Sequence, residues 1–396
     1  MSLTDTPRSN RLHIGIYGKR NSGKSSLINA LTNQNAAIVS DVAGTTADPV
    51  YKTMEIHGIG PCVFIDTAGF DDEGTLGTMR VEKTKAALEK TDIALLVCSD
   101  DQNEEELSWA KDFAKKKIPY LLVLNKIDEH TDKENLAATL EKQFKKKPLQ
   151  VSALQKTGIE ELRQALIRSI PEDYEQESIV GNLAETGDLV LLVMPQDIQA
   201  PKGRLILPQV QIMRDLLDKK CLIMSCTTDK LDETLKALAY PPKLIITDSQ
   251  VFSTVYEKKP KESNLTSFSV LFARYKGDIQ SYVEGARAIE NLTEDSHVLI
   301  AEACTHAPLT EDIGREKIPR FLRKRIGENL KIDIVAGNDY PKDLTGYDLI
   351  IHCGACMFNR KYVLSRQEQA REANVPMTNY GIVIAYLNNI LDKIKY

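Results

Sequence analysis

Short apolar runs alternate with amphipathic stretches along most of the chain. The runs LHIGIY (12–17), CVFID (62–66), IALLVC (93–98) and YLLVLN (120–125) are too continuous for half-exposed strands. They read as buried parallel strands. Between them apolar positions recur at helical spacing, over 79–90, 104–116, 133–144 and 158–170, and Pro171 stops the last. Strand–helix alternation of this kind predicts an α/β fold built on a doubly wound sheet.

Residues 171–187 (PEDYEQESIVGNLAETG) are polar and acidic and interrupt the alternation. Beyond them DLVLLVM, CLIMSC and KLIITD read as strands, with helices near 209–219, 229–238 and 249–256. Residues 257–264 (EKKPKESN) break the pattern, and 270–291 read as one helix. HVLIAEA, KIDIVAG and YDLIIH then predict a third set of strands, with helices around 313–326, 360–372 and 381–394. The expected organisation is an N-terminal unit over 1–171, a linker over 172–187, and two smaller α/β units over 188–268 and 269–396.

Composition narrows the class. A chain of 396 residues exceeds one ordinary core, which agrees with two or three domains. A net charge of −5 argues against whole-chain attraction to nucleic acid or anionic membrane. No apolar run approaches the ~20 residues a spanning helix needs. Residues 1–11 are polar and lack the apolar segment of an export signal, so a cytoplasmic location is expected. The odd count of 7 cysteines makes disulfides unlikely as a default there, and three of the cysteines fall late, beside histidines.

Gly18-Lys19-Arg20-Asn21-Ser22-Gly23-Lys24-Ser25 fits G-x-x-x-x-G-K-[ST], follows the first strand and, with Ser26, opens a helix. Glycines let such a loop wrap a phosphate chain closely and aim backbone N–H groups at it. Lys24 is expected at the β- and γ-phosphates and Ser25 on Mg²⁺. Asp66-Thr67-Ala68-Gly69 ends CVFID. There the carboxylate suits Mg²⁺ held through water, and the Gly69 N–H suits γ-phosphate sensing. Asn125-Lys126-Ile127-Asp128 ends YLLVLN. A carboxylate at Asp128 accepts from guanine N1–H and the exocyclic amine, a pair adenine lacks, so GTP and GDP are the expected nucleotides. Ser152-Ala153 follows a further short strand and is expected to back the base through N–H. Four motifs in order, each at a strand's carboxyl end, point to a GTPase.

At these residues the chain resembles translation-factor-class GTPases of the Era and MnmE type. Gly44-Thr45-Thr46 is similar to the switch I GTT of MnmE-like proteins, which implies Thr46 as the second protein ligand of Mg²⁺. Asn21 is similar to the P-loop asparagine by which those GTPases bind K⁺; as a turn residue it also tolerates the left-handed conformation. Phe70 follows Gly69 where Ras-like proteins carry a water-orienting glutamine, so slow, K⁺-stimulated hydrolysis is expected. Asp71, Asp72 and Glu73 read as a solvated loop.

Cys304-Thr305-His306 follows HVLIAEA, and His352-Cys353-Gly354-Ala355-Cys356 follows YDLIIH. Both half-motifs sit just past predicted strand ends, where parallel sheets gather ligand loops. Three thiolates suit Zn²⁺ or an iron–sulfur cluster, and spacing alone does not choose. Cys62 and Cys98 read as core thiols. Cys221 and Cys226, at odd spacing about a strand, cannot share one metal. His13, His57, His130 and His297 read as structural or surface residues.

A GTPase followed by C-x-H…H-C-x-x-C resembles the FeFe-hydrogenase maturation GTPases (HydF) over the whole chain. The resemblance implies Cys304, Cys353 and Cys356 as ligands of a 4Fe–4S cluster, with His306 and His352 at the family's histidines and Glu311 available as an oxygen ligand. It implies a homodimer formed by the middle unit. It also implies a scaffold that receives a di-iron precursor from radical-SAM maturases and delivers it to the hydrogenase apoprotein. The chain has no C-x-x-x-C-x-x-C and so no radical-SAM chemistry of its own is expected. The competing expectation is an RNA-modification or ribosome-assembly GTPase with structural zinc. Its basic runs, 115–117 and 145–147, lie at predicted helix ends and read as solvated faces, so no nucleic-acid partner is expected.

Overall fold

The computed structural model describes residues 8–32, 50–56, 59–67, 84–170, 178–195, 205–303, 313–355 and 358–396. It divides into two compact units, at residue 176.

The first unit is built on a six-stranded sheet. Its strands are β1 (Leu12–Tyr17), β2 (Val50–Ile56), β3 (Gly60–Asp66), β4 (Ile93–Cys98), β5 (Tyr120–Leu124) and β6 (Leu149–Gln150), in spatial order β2-β3-β1-β4-β5-β6. Every neighbour pair is parallel except β2 and β3, an antiparallel pair in register from Val50 with Asp66 to Ile56 with Gly60. The helices are α1 (Lys24–Thr32), α2 (Glu104–Lys115), α3 (Lys133–Phe144) and α4 (Ile159–Arg168), and residues 84–88 are helical. Alternate strand residues feed opposite faces. Ile14, Ile16, Leu95 and Val97 pack with Leu27, Ile28, Leu162 and Leu166 of α1 and α4. Tyr17, Leu96, Leu122 and Leu124 pack with Trp109, Phe113, Leu140 and Phe144 of α2 and α3. Covering both faces explains why the strands are continuous apolar runs.

The second unit holds two parallel four-stranded sheets. One contains β7 (Leu189–Val193), β8 (Leu222–Cys226), β9 (Leu244–Thr247) and β10 (Asn264–Ser267), in order β10-β9-β7-β8. The other contains β11 (His297–Glu302), β12 (Lys331–Ala336), β13 (Leu349–His352) and β14 (Met377–Asn379), in order β12-β11-β13-β14. Their helices are α5 (Leu207–Asp218), α6 (Leu231–Ala237), α7 (Phe252–Lys258), α8 (Phe268–Lys276), α9 (Ile279–Arg287), α10 (Ile318–Ile326), α11 (Arg360–Glu372) and α12 (Tyr380–Leu387). One apolar cluster joins Leu191, Val193 and Ile245 of the first sheet to Leu299, Ala301 and Ile350 of the second. The two sheets therefore share a core.

Three sequence expectations change. The single helix over 270–291 is two, because Gly277 leaves the helical conformation and the Asp278 carboxylate caps α9, accepting from the N–H groups of Gln280 and Ser281. A side chain at 277 would also collide with Tyr282, its Cβ only 2.6 Å from the ring. The latter part of the expected linker is not a linker: Ile179, Val180 and Ala184 are buried beside Val190 and Leu192. The boundary expected at 268 falls at the start of α8, whose Phe268, Leu271 and Phe272 pack in that same cluster. Strands β10 and β14, of four and three residues, are too short to show a period.

Candidate functional site

The loop from β1 to α1 turns on glycines. Gly18 adopts φ +150, and a Cβ there would lie 2.3 Å from the Val97 carbonyl oxygen. Gly23 adopts φ +88, and a Cβ would meet Asn125 Nδ2 at 2.3 Å. Neither position admits a side chain. Asn21 is exposed and left-handed, with φ 60. The buried Lys24 amine donates to the carbonyls of Gly18 at 2.8 Å and Lys19 at 2.6 Å. Ser22 is buried and its hydroxyl donates to the Lys19 carbonyl, while Ser26 is exposed on the first turn of α1.

Two further strand ends converge on this loop. Ser25 Oγ donates to Asp66 Oδ2 at 2.7 Å, so the hydroxyl and carboxylate suited to one Mg²⁺ already lie together. Asn125 is buried, donates through Nδ2 to the Ser22 carbonyl and accepts at Oδ1 from the Ala153 N–H. It ties the phosphate loop, the end of β5 and the loop after β6 into one body. Asp128 Oδ1 is buried with no hydrogen-bond partner among the described residues, as an acceptor reserved for a ligand donor would be. Lys126, with φ 61, makes the turn between them and pairs with Glu129.

The Ser152 N–H goes to the Thr157 carbonyl at 3.0 Å and the Ala153 N–H to Asn125 Oδ1 at 3.1 Å, which sets this loop beside the end of β5. Thr46 and Gly69 lie outside the described residues. The sequence reading missed Glu106. It is 1% exposed at the start of α2 and accepts from the Lys19 N–H at 3.2 Å, so it pins the phosphate loop from behind. Three consecutive glutamates at a helix start gave no sign that one of them turns inward.

In the second unit, β11 and β13 are adjacent and parallel, with Ala301 opposite His352. Their exits meet: the Cys353 N–H donates to the Ala301 carbonyl at 2.9 Å, and the Ala303 N–H donates to Cys353 Sγ at 3.1 Å. The Ala355 N–H reaches the same sulfur at 3.4 Å, from a left-handed residue with φ 44. Two backbone donors on one sulfur suit a thiolate that ligates metal. Cys304, His306, Glu311 and Cys356 lie outside the described residues. Among the described residues, no three His, Cys, Asp or Glu side chains gather into a metal-holding group.

His352, expected among the metal ligands, stands at the end of β13. It is fully buried; Nε2 faces Arg366 Nη1 at 2.9 Å and Nδ1 faces the Cys353 carbonyl at 2.7 Å. A guanidinium only donates and a carbonyl only accepts, so Nδ1 carries the hydrogen and Nε2 spends its lone pair on Arg366. Burial, and secondarily Arg366, push the imidazole pKa down to about 3. The ring is neutral, with its Nε2 lone pair toward Arg366 and its Nδ1 hydrogen on the Cys353 carbonyl. Arg366 is itself buried between the rings of Tyr340 and Tyr362, at 4.2 and 4.5 Å from their centroids, and donates to the Gly337 carbonyl. Cys62 and Cys98 are buried core thiols whose pKa values burial raises, to about 12 for Cys62.

Comparison with known proteins finds matches for both units. A model of the 50S ribosome-binding GTPase family matches residues 13–126. The hydrogen maturase F dimerization domain matches 179–277, and the hydrogen maturase F tetramerization domain matches 280–395. The tRNA modification GTPase MnmE of Aquifex aeolicus is 35% identical over 166 residues, 41% of this chain and 35% of that protein. GTPase Der of Campylobacter concisus is 32% identical over 259 residues, 60% of this chain and 55% of that protein. The chain thus spans about a third to a half of the length of these relatives. A crystal structure of Aquifex aeolicus Era bound to GDP and aluminium fluoride aligns with 58% of this chain and 98% of its own, at 20% identity and TM-score 0.35. With a GTPase domain followed by both hydrogen maturase F domains, which together span more than half of its length, the chain belongs to the hydrogen maturase F family of hydrogenase-maturation GTPases.

Proposed function

We propose that this chain is a GTP-hydrolysing scaffold and carrier. It binds a 4Fe–4S cluster through Cys304, Cys353 and Cys356, and it assembles and delivers the di-iron precursor to FeFe-hydrogenase in concert with the radical-SAM maturases. The observation that carries the reading is the meeting of the β11 and β13 exits, where the Ala303 N–H donates to Cys353 Sγ. Cys304 is the next residue of that chain segment, so both half-motifs leave from neighbouring strand ends. His306, His352 and Glu311 are the candidates for the remaining coordination position, and His352 would have to turn its Nε2 from Arg366 to take it. The cluster would supply an iron site with a replaceable ligand, to which the precursor attaches as cargo.

In the G domain, residues 18–26 would wrap the phosphates, with Lys24 turning from the loop carbonyls to the β- and γ-oxygens. Ser25 and Thr46 would ligate Mg²⁺, with Asp66 holding a metal-bound water and Gly69 sensing the γ-phosphate. Asp128 selects guanine with its unpartnered oxygen. Asn21 would contribute to a K⁺ that offsets γ-phosphate charge. GTP turnover would time partner binding or release through switch loops ordered by the γ-phosphate. A pair of domains named for dimerization and tetramerization supports self-association. The same match, over 179–395, weighs against the RNA-modification reading of the C-terminal half.

Anaerobic reconstitution with iron and sulfide tests the proposal. The protein is expected to turn brown, to give an EPR signal on reduction, and to lose both in Cys353→Ala while GTP hydrolysis stays within about twofold, since sites with no shared partners act independently. A colourless protein holding one tight zinc would sink it.

A further inference from the structure

Lys276 ends α8 and is 1% exposed. Its amine donates to the Ala355 carbonyl at 2.8 Å and to the Phe358 carbonyl at 2.8 Å, and it stands 5.7 Å from the centre of the Phe272 ring. In sequence these two carbonyls bracket Cys356. Ala355 is buried and left-handed, a conformation an alanine adopts only when its surroundings impose it. From that conformation its N–H reaches Cys353 Sγ. Lysine is rarely buried, because desolvating the ammonium is costly unless carbonyls or charges replace the water. Methionine would fill the same space at the end of α8 at no such cost, so packing alone does not account for the residue.

We propose that Lys276 is the positioning residue of the C-x-x-C loop: it clasps the Ala355 and Phe358 carbonyls, holds the left-handed turn, and places a buried positive charge on the residue whose N–H meets Cys353 Sγ. This rests on the iron–sulfur reading above. A fixed cation favours the reduced, more negative cluster and so raises its midpoint potential. A clasp on the ligand loop strengthens metal retention in the way that outer-shell partners do.

The test compares full-length wild type, Lys276→Met and Lys276→Arg after anaerobic reconstitution with ferrous iron and sulfide, with circular dichroism and thermal unfolding as the check of folding. Lys276→Met is expected to lose iron to a chelator about tenfold more readily and to show a more negative midpoint potential. Lys276→Arg keeps the charge, so its potential should stay near wild type even where retention falls. Adding Ala355→Gly to Lys276→Met should recover retention, since glycine holds the turn unaided, but not the potential. A Lys276→Met protein that matches wild type in retention and potential overturns the inference alone. If Lys276→Met does not fold, a Lys276→Arg potential displaced from wild type overturns it. If wild type itself takes up no iron, the cluster reading falls and this inference with it.

Discussion

Glu106 shows how a single side chain can hold a nucleotide loop at some cost to the fold. One oxygen accepts from the Lys19 N–H; the other, Oε2, has no hydrogen-bond partner among the described residues and lies 4.0 Å from Lys19 Nζ. Burial raises its pKa, and the hydrogen bonds and Lys19 only partly oppose that. A carboxyl whose folded pKa exceeds its unfolded value costs stability as pH rises through that interval and at every pH above it. Glu106→Gln keeps an acceptor for the loop and removes the buried charge. Its unfolding midpoint at neutral pH should rise by roughly 2–4 °C, with the gain disappearing as pH falls through the carboxylate range. Trp109, the only tryptophan and one turn along the same helix, reports this by fluorescence. An equal gain at all pH values would mean the charge is not its source. Asn21 belongs to the same scale. Its left-handed φ of 60 fits a turn residue and leaves the side chain exposed. If it also holds K⁺, replacing Na⁺ with K⁺ should speed GTP hydrolysis at least about tenfold, a step of 1.4 kcal/mol in the barrier, and Asn21→Ala should erase the difference. Equal rates in both salts would leave it a turn residue only.

At the scale of elements, β8 is the anomaly. Its sequence LIMSC is apolar, yet it forms the edge of its sheet and leaves Leu222 52% and Met224 39% exposed, with Leu217 of α5 nearby in sequence also exposed. An apolar edge strand offers an unpaired row of backbone groups that another chain can complete. It lies within the segment that matches a dimerization domain. Met224→Lys should therefore remove one association step, seen as a lower mass in sedimentation, while leaving GTP hydrolysis unchanged. Unchanged assembly would put the interface elsewhere. The inner strands were legible for the opposite reason: β4, β7, β9 and β13 are buried throughout or nearly so, and their continuous apolar runs say as much. The break at Gly277 was not legible, because an amphipathic period persists across it while Gly277 turns extended and Asp278 caps a new helix.

For the whole molecule, chemistry collects at the carboxyl ends of parallel strands in both units. In the first, the ends of β3 and β5 bring Asp66 to Ser25 and Asn125 to Ser22, on the loop that leaves β1. In the second, the ends of β11 and β13 bring Ala303 to Cys353. Motif order, strand-end placement and the carboxylate at Asp128 follow from the linear chain, because local sequence fixes which turns a glycine-rich loop makes and which acceptor a strand end presents. Which groups stay free to act was settled only by packing. His352 reads as a strand-end histidine, and only the packing shows its Nε2 facing Arg366, fourteen residues on. Lys276 reads as an ordinary helix-end lysine until its amine lies on the loop around Cys356, about eighty residues later. Burial and pairing between distant residues depend on how helices settle on sheets, and no local pattern encodes them.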